Sequence, residues 1–185
     1  MKSFTTCLDR MADESGARAW VEKTPRHLWF IDAIEKYVED PFFIHVVRRG
    51  EDVVASLYQV THLYPEEWGG SRTLQACIDR WNRDIEITLA HQHKRNHRVV
   101  SYEDLTCRRD DTAARLFEAI GMPTNSGRLG EMRDVSEGEK IITEQEKWKR
   151  EDRKKSKKEK ERKYLSVLSK FQRMDVEENI RTYPI

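Results

Sequence analysis

Continuous apolar runs alternate along the chain with stretches whose apolar positions recur at helical spacing. The run at 42–47 carries one polar residue, His45, and has the length and the β-branched and aromatic content of a buried strand. Shorter runs at 18–23 and 97–105 predict two more strands, the second leading into a loop. Helical spacing predicts helices at 4–16, 26–40, 51–63, 73–96 and 112–121.

This alternation of strands and helices predicts an α/β fold with a mainly parallel sheet, because a helix normally links each parallel strand to the next. We place this α/β domain at residues 1–127. Residues 128–185 have another character, and the segment 146–163 contains 11 basic and 5 acidic residues. It predicts a solvated, charged helical tail. The alternative, an arm that binds nucleic acid, is disfavoured because acids are interspersed and no series of aromatic residues accompanies them.

Three residues of the tail, Leu165, Leu168 and Phe171, predict one or two amphipathic turns near its end. Within 146–163 little is apolar besides Trp148.

Composition and net charge limit the classes of function that the chain can have. Of the 185 residues 36% are charged and 37% are apolar, and the net charge is +1, so no overall field attracts nucleic acid or a membrane. No run approaches the ~20 apolar residues that span a bilayer, and the amino terminus does not resemble a signal peptide. We therefore expect a cytoplasmic protein. Cys7, Cys77 and Cys107 form neither a disulfide framework nor a zinc pattern.

The strand at 42–47 stops abruptly at a pair of arginines, of which Arg48 is the first. Gly50 allows a tight loop, and the next helix is predicted to begin with Asp52 as its N-cap. Ligands of open α/β sheets bind outside the carboxyl ends of the strands, and a helix start favours an anion. Ser56, one turn into the helix, is able to aim its hydroxyl at the same point. These residues predict a phosphate site. The alternative is a surface arginine pair beside an ordinary helix cap.

Several segments resemble those of sulfotransferases that use 3′-phosphoadenosine-5′-phosphosulfate (PAPS). The segment "VVRRGEDVVASL" resembles the family's 3′-phosphate-binding segment, which has an arginine at a strand end and a serine eight positions later. The segment "WVEKTPRH" resembles the EKTP-type segment of the bacterial and carbohydrate-type branch, and "VVSYEDL" and "FEAIGMP" resemble later family segments in the same order. The resemblance covers residues 17–125 and implies a partial P-loop-NTPase-like three-layer fold.

The resemblance also implies roles for individual residues. Arg48 and Ser56 would hold the 3′-phosphate of PAPS or of its product 3′-phosphoadenosine-5′-phosphate (PAP), and Tyr102 would lie near the adenine. Lys23 would stabilise charge on the transferred sulfuryl group or on the leaving oxygen. The chemistry would move a sulfuryl group to a hydroxyl or amine of a small molecule or carbohydrate, and it needs no metal.

Each of these roles has an alternative at the level of the residues. His27 is a candidate general base, although related enzymes often use a glutamate. Glu22 could pair with Lys23 or with Arg26, Lys23 could be an ordinary strand-end lysine, and Tyr102 could be a core aromatic.

His93 and His97 share one face of the predicted helix 73–96 or its extension, a spacing that suits a metal, but cations are also favoured at a helix end.

The family's glycine-rich loop, which binds the 5′-phosphosulfate, has no counterpart in the sequence. We therefore expect a chain truncated at its amino terminus, inactive by itself, or a degenerate relative whose exposed sheet edge is covered by an oligomer contact or a partner. Two alternatives to a sulfotransferase-like enzyme remain. One is a non-catalytic protein that binds a nucleotide or a partner, and the other is a scaffold whose basic tail carries the function.

Overall fold

The computed structural model describes residues 2–122 and 163–183. The helices and strands of these two ranges, in chain order, are α1 Lys2–Glu14, a 3₁₀ helix Pro25–Phe30, α2 Ile31–Tyr37, β1 Phe43–Val47, α3 Gly50–Leu63, α4 Pro65–Trp68, α5 Leu74–His91, β2 His97–Ser101, α6 Tyr102–Cys107, α7 Arg109–Ala119, α8 Lys163–Val167 and α9 Lys170–Asn179. In the described part of the chain, no helix is both long and apolar enough to cross a membrane.

Strands β1 and β2 form a parallel pair whose register runs from Phe43 opposite His97 to Val47 opposite Ser101. Parallel neighbours need a long crossover connection, and α3 to α5 supply it. The predicted α/β class with a parallel sheet is thus confirmed for these two strands. Side chains alternate in β1, so that His45 and Val47 are buried while Ile44 and Val46 face outward.

The hydrophobic core lies where α3 and α5 pack against the inner face of β1. Both helices present their apolar positions at helical spacing. The buried residues of this core are Val47, Val54, Ala55, Cys77, Ile78, Trp81, Ile85, Tyr164, Leu168 and Val176. Of the last three, Tyr164 lies in α8, Val176 lies in α9 and Leu168 lies between the two helices, so residues 163–183 complete the core.

The described end of the tail is therefore packed, and the prediction that it is solvated is wrong for residues 163–183. Leu168 is 3% exposed, whereas Phe171 is 82% exposed. A capping box of Ser169 and Gln172 starts α9, and Trp81 Nε1 donates to the carbonyl of Arg181 at 3.0 Å. The charged segment 146–162 lies outside the described residues. The division at residue 127 stays a prediction.

The strand predicted at 18–23 is also wrong, because these residues have no regular structure. A strand needs a neighbour for its backbone groups, and here the chain contacts a helix instead. Trp20 Nε1 donates to Asp9 Oδ1 of α1 at 2.8 Å, while Val21 is 94% exposed.

The two longest predicted helices, at 26–40 and 73–96, are divided or shorter in the structure. The helix predicted at 26–40 is divided into the 3₁₀ helix and α2, because Phe30 has non-helical backbone angles (φ −121°, ψ 19°). The helix predicted at 73–96 begins as expected, with the hydroxyl of Thr73 accepting from the Ala76 N–H, but it ends at His91. The helix predicted at 112–121 corresponds to α7, and Gly121 follows it with φ +67°.

Candidate functional site

The carboxyl ends of the two strands bring Arg48 and Tyr102 together. Arg48 follows the last residue of β1, Tyr102 follows the last residue of β2, and these last residues are paired in the register. The guanidinium carbon of Arg48 lies 5.0 Å from the centre of the Tyr102 ring, which is within the range of a cation–π interaction. Two of the predicted cofactor-binding residues thus share the sheet edge at which α/β proteins bind ligands.

Asp52 forms an ion pair with the Arg48 guanidinium. Its Oδ2 lies 3.4 Å from Nη2 of Arg48, and its side chain is only 5% exposed. Burial raises the pKa of the Asp52 carboxyl, while the charges of Arg48 and Arg49 oppose that rise. Asp52 lies in the first turn of α3, whose N-cap is Arg49, so the prediction that Asp52 caps this helix is wrong.

A second carboxylate, that of Glu103, lies at the start of α3. Its Oε1 accepts from the backbone N–H of Arg49 at 3.4 Å, and its Oε2 accepts from the Ser101 hydroxyl at 3.0 Å. A helix start carries unsatisfied N–H groups and a partial positive charge, and Arg49 provides no side-chain cap. Glu103 therefore supplies an internal anion at the point where the sequence predicts a bound phosphate.

Gly50 is required by the packing of α3 on α5. A Cβ atom built on Gly50 would lie 2.7 Å from Cε2 and from Nε1 of Trp81. No side chain larger than hydrogen fits against the indole without a shift. The sequence predicted that Gly50 allows a tight loop, whereas in the structure Gly50 is the first residue of α3 and Trp81 of α5 is its close neighbour.

Ser56 occupies the second turn of α3 and is half-buried. It follows Asp52 by four residues, so the two side chains lie on one face of the helix. Since Asp52 contacts Arg48, this face is turned toward the carboxyl end of β1. Convergence of Arg48 and Ser56 on one phosphate stays a prediction.

Lys23 and His27 lie in and just after the segment that was predicted to be a strand. The Lys23 side chain is exposed and is not held by a sheet. His27 belongs to the 3₁₀ helix, and its Nδ1 lies 2.6 Å from Oε2 of Glu22. The sequence left Lys23 and Arg26 open as partners of Glu22, whereas the structure places the histidine against this carboxylate.

Trp29 attaches this segment to α5. Its Nε1 donates to Oδ1 of Asp84 at 2.7 Å, and the guanidinium carbons of Arg80 and Arg83 lie 4.1 and 4.2 Å from its ring. Arg80 precedes Trp81, the residue that contacts Gly50. Helix α5 therefore contacts the segment of Lys23 and His27 through Arg80, and the start of α3 through the adjacent Trp81. No local pattern indicates this arrangement, because Trp29 and Asp84 are 55 residues apart.

Comparison with known proteins identifies the family. A model of the sulfotransferase family matches residues 2–126, which is more than half of the 185 residues. The chain belongs to the sulfotransferase family. No curated protein and no solved structure gave a match. Family membership, which the sequence motifs predicted, is thus confirmed, while the assignment to the bacterial and carbohydrate-type branch stays a prediction.

A buried histidine network of this sulfotransferase-family chain lies at the opposite end of the strands. His45 Nε2 lies 2.8 Å from His97 Nδ1, and His97 Nε2 lies 3.2 Å from Glu35 Oε1. At its ends, Thr88 Oγ1 lies 3.3 Å from His45 Nδ1, and Lys94 Nζ donates to Glu35 at 2.6 Å. The sequence offered one signal for it, the single histidine within the apolar run 42–47.

The charges in this network fix its hydrogen bonds. The hydrogen bond from Lys94, and further bonds from His97 and Asn96, lower the pKa of Glu35 to about 2 in spite of desolvation. Burial is the main cause that lowers the pKa of His45 to about 4, and burial also lowers the pKa of His97.

An ionised Glu35 only accepts, so His97 donates to it from Nε2. A neutral His97 then accepts at Nδ1 from His45, so the Nδ1 of His45 carries no proton. The Thr88 hydroxyl, 3.3 Å from this nitrogen, also donates to the Asp84 carbonyl at 3.1 Å, so its one proton serves two acceptors.

Among the described residues, no group of three or more His, Cys, Asp or Glu is arranged to hold a metal ion. The helical pairing of His93 with His97 is wrong as well. Because α5 ends at His91, His97 opens β2 and is fully buried, while His93 is exposed.

Proposed function

We propose that the chain binds a 3′-phosphoadenosine nucleotide at the carboxyl ends of β1 and β2, in a fold that serves sulfuryl transfer from PAPS to a hydroxyl or amine. The stack of Arg48 on Tyr102 carries this proposal. A guanidinium presents planar N–H donors to a phosphate, and a neighbouring aromatic ring offers a flat face to adenine. Family membership supports the reaction class.

The donor groups at this edge fit an anionic nucleotide. Arg48 and Arg49 supply positive charge, and the 14-residue helix α3 begins beside them without a side-chain cap. Two carboxylates, Asp52 and Glu103, oppose them. We therefore expect a phosphate to bind in competition with internal acids, and the affinity to depend on both of them.

In the proposed reaction, PAPS supplies the activated sulfuryl group. The acceptor atom forms a bond to sulfur while the bond from sulfur to the phosphate oxygen breaks, and the electron pair of that bond stays on the phosphate. Lys23 stabilises the charge that develops on the leaving oxygen, and Nε2 of His27 takes the acceptor's proton. The exposed Lys23 and the 45% exposed side chain of His27 are accessible to such groups.

The full fold that we propose is a partial P-loop-NTPase-like three-layer fold, and the acceptor is a small molecule or carbohydrate. The sequence contains no string of the G-x-x-R-S-G-T type that would cradle the 5′-phosphosulfate. We therefore expect this chain to bind PAP but to transfer sulfuryl groups weakly or not at all by itself.

A second candidate is a nucleotide-binding protein without catalysis. It is favoured by a difference between the proposed binding residues and the proposed catalytic lysine. Arg48 and Tyr102 directly follow the paired strands β1 and β2, whereas Lys23 lies in a segment without regular structure.

Calorimetric titration with PAP tests the binding site. We expect Arg48→Ala to weaken binding by about 10-fold or more, because a hydrogen bond to a charged group contributes about 1.5–3 kcal/mol. Arg98→Ala is the matched control, because Arg98 lies in β2 but is exposed and donates to backbone carbonyls. No heat with millimolar PAP would overturn the proposal, as would an Arg48→Ala variant that binds like the unchanged chain.

Transfer of radiolabelled sulfate from PAPS then separates the two candidates. Transfer that Lys23→Ala abolishes without loss of PAP binding would establish the enzyme. PAP binding without transfer, also after an added amino-terminal segment supplies a glycine-rich loop, would establish the non-catalytic protein.

A further inference from the structure

The carboxylate of Glu22 lies between two side chains of the segment that follows it. Its Oε1 accepts from the Thr24 hydroxyl at 2.6 Å, and its Oε2 lies 2.6 Å from Nδ1 of His27. The backbone N–H of His27 also donates to the Thr24 carbonyl at 2.9 Å. These contacts hold the Glu22 carboxylate beside the Thr24 hydroxyl and beside Nδ1 of the His27 imidazole.

Burial makes this contact selective for one protonation pattern. Oε2 of Glu22 is shielded from solvent and has no aligned hydrogen bond within the described residues, so Nδ1 of His27 is its nearest source of a proton. A shielded carboxylate oxygen without a donor is costly. The contact therefore favours the tautomer of His27 that carries its proton on Nδ1, and the lone pair then lies on Nε2.

The contacts of the neighbouring residues hold this arrangement in place. Pro25 is the first residue of the 3₁₀ helix and fixes its start. Two residues after His27, Trp29 is bound to Asp84 and lies against Arg80 and Arg83 of α5. The imidazole therefore projects from a segment that is anchored on the core, although its own side chain is 45% exposed.

We propose that Glu22 is a positioning residue, which fixes His27 as the Nδ1–H tautomer so that Nε2 accepts the proton of the sulfuryl acceptor. The identity of the reaction in this proposal rests on the proposed function. The tautomer of His27 does not, because it is a property of the chain without any ligand. In other carboxylate–histidine pairs the acid likewise orients the base and does not itself take the proton.

The tautomer is measured by long-range ¹H–¹⁵N correlation spectra of the full chain labelled with ¹⁵N-histidine, with the His27 signals assigned from the His27→Gln variant. We expect protonated Nδ1 and unprotonated Nε2 in the unchanged chain. In Glu22→Gln we expect the Nε2–H form to gain population, because it is the form that free imidazole side chains prefer. His62 serves as an internal control, since its Nδ1 contacts the Tyr58 carbonyl on α3.

Kinetics test whether the positioned imidazole is used. If the chain supports transfer, alone or with an added glycine-rich loop, Glu22→Gln should lower kcat by about 10-fold to 100-fold with little change in KM. This is less than the roughly 10²–10⁴-fold contribution of a general base, because the imidazole itself is still present. In a His27→Gln background the same substitution should have no further effect, because Glu22 acts through His27. Glu22→Asp should restore part of the rate.

The outcomes separate this proposal from the proposed function. An Nε2–H tautomer in the unchanged chain, or a Glu22→Gln effect that persists in the His27→Gln background, would overturn the positioning role. A chain with the expected tautomer but without PAP binding would instead overturn the nucleotide site, and with it the use of Nε2 as the base in sulfuryl transfer. Thermal unfolding of Glu22→Gln shows whether the fold is intact in either case.

Discussion

The Arg48 guanidinium lies 3.4 Å from the Asp52 carboxylate, which follows it by four residues and is almost completely buried. Burial already raises the pKa of this carboxyl against the pull of Arg48. A phosphate bound to Arg48 would add negative charge nearby and share the cation, so the pKa of Asp52 should rise further. Binding of PAP is therefore expected to be coupled to proton uptake by Asp52.

This coupling is measured by titrating PAP at mildly acidic pH in buffers that differ in ionisation enthalpy. The dependence of the observed heat on the buffer gives the number of protons taken up. We expect a larger uptake in the unchanged chain than in Asp52→Asn, while protonation of the phosphate itself is common to both. Equal uptake in the two proteins would show that the ligand does not draw Arg48 away from Asp52.

The close approach of Gly50 and Trp81 gives a prediction about stability. A methyl group at Gly50 would lie 2.7 Å from two indole atoms, and overpacking of this kind costs about 1–3 kcal/mol. We therefore expect Gly50→Ala to lower the free energy of unfolding by about that amount in urea denaturation. Trp81→Phe, which removes the nitrogen Nε1 and the outer ring, should relieve part of the clash. Additive effects in the double variant would count against direct contact.

The end of the chain offers a matched pair of substitutions. Leu168 is 3% exposed in the core, and Phe171, three residues later, is 82% exposed. Leu168→Ala should cost about 2–5 kcal/mol of unfolding free energy, the usual range for a buried leucine, whereas Phe171→Ala should stay within about 0.5 kcal/mol of the unchanged chain. Similar small effects at both positions would mean that residues 163–183 do not share the core of the α/β domain.

The same two residues show where sequence reasoning reached its limit. Helical spacing predicted one apolar face from Leu165, Leu168 and Phe171, yet only Leu168 of the three is buried. Which apolar residue is buried depends on a surface more than 80 positions earlier in the chain. The strand at 42–47 was predictable because a continuous apolar run indicates a buried strand. The segment 18–23 has too few apolar residues to indicate whether it pairs with another strand.

The candidate site was predictable in part for a related reason. Arg48 and Tyr102 both follow strands, and parallel strands end at one edge of a sheet, so their proximity follows from topology. The contact between Glu22 and His27 was less predictable. It depends on the turn at Thr24 and Pro25, and a local turn allowed several partners for the same carboxylate.

The histidine network predicts a loss of stability in acid. The folded-state pKa of His45, lowered by burial to about 4, lies below its ordinary value of 6.5. Above pH 6.5 both states are neutral, and the network's contribution is complete. As pH falls from 6.5 to 4, His45 becomes protonated in the unfolded chain but stays neutral in the folded chain. The free energy of unfolding therefore falls by about 3 kcal/mol. The lowered pKa of His97 acts in the same direction.

Urea denaturation across this pH range measures the effect. Glu35 does not obscure it, because a carboxyl whose pKa is lowered from 4.5 to about 2 loses its contribution only below pH 4.5. We expect the free energy of unfolding to fall between pH 6.5 and 4.5 in the unchanged chain, and to fall less in His45→Gln. His62→Gln should keep the full pH dependence, because His62 is exposed on α3. A His45→Gln variant with an unchanged slope would show that the buried pair does not control acid sensitivity.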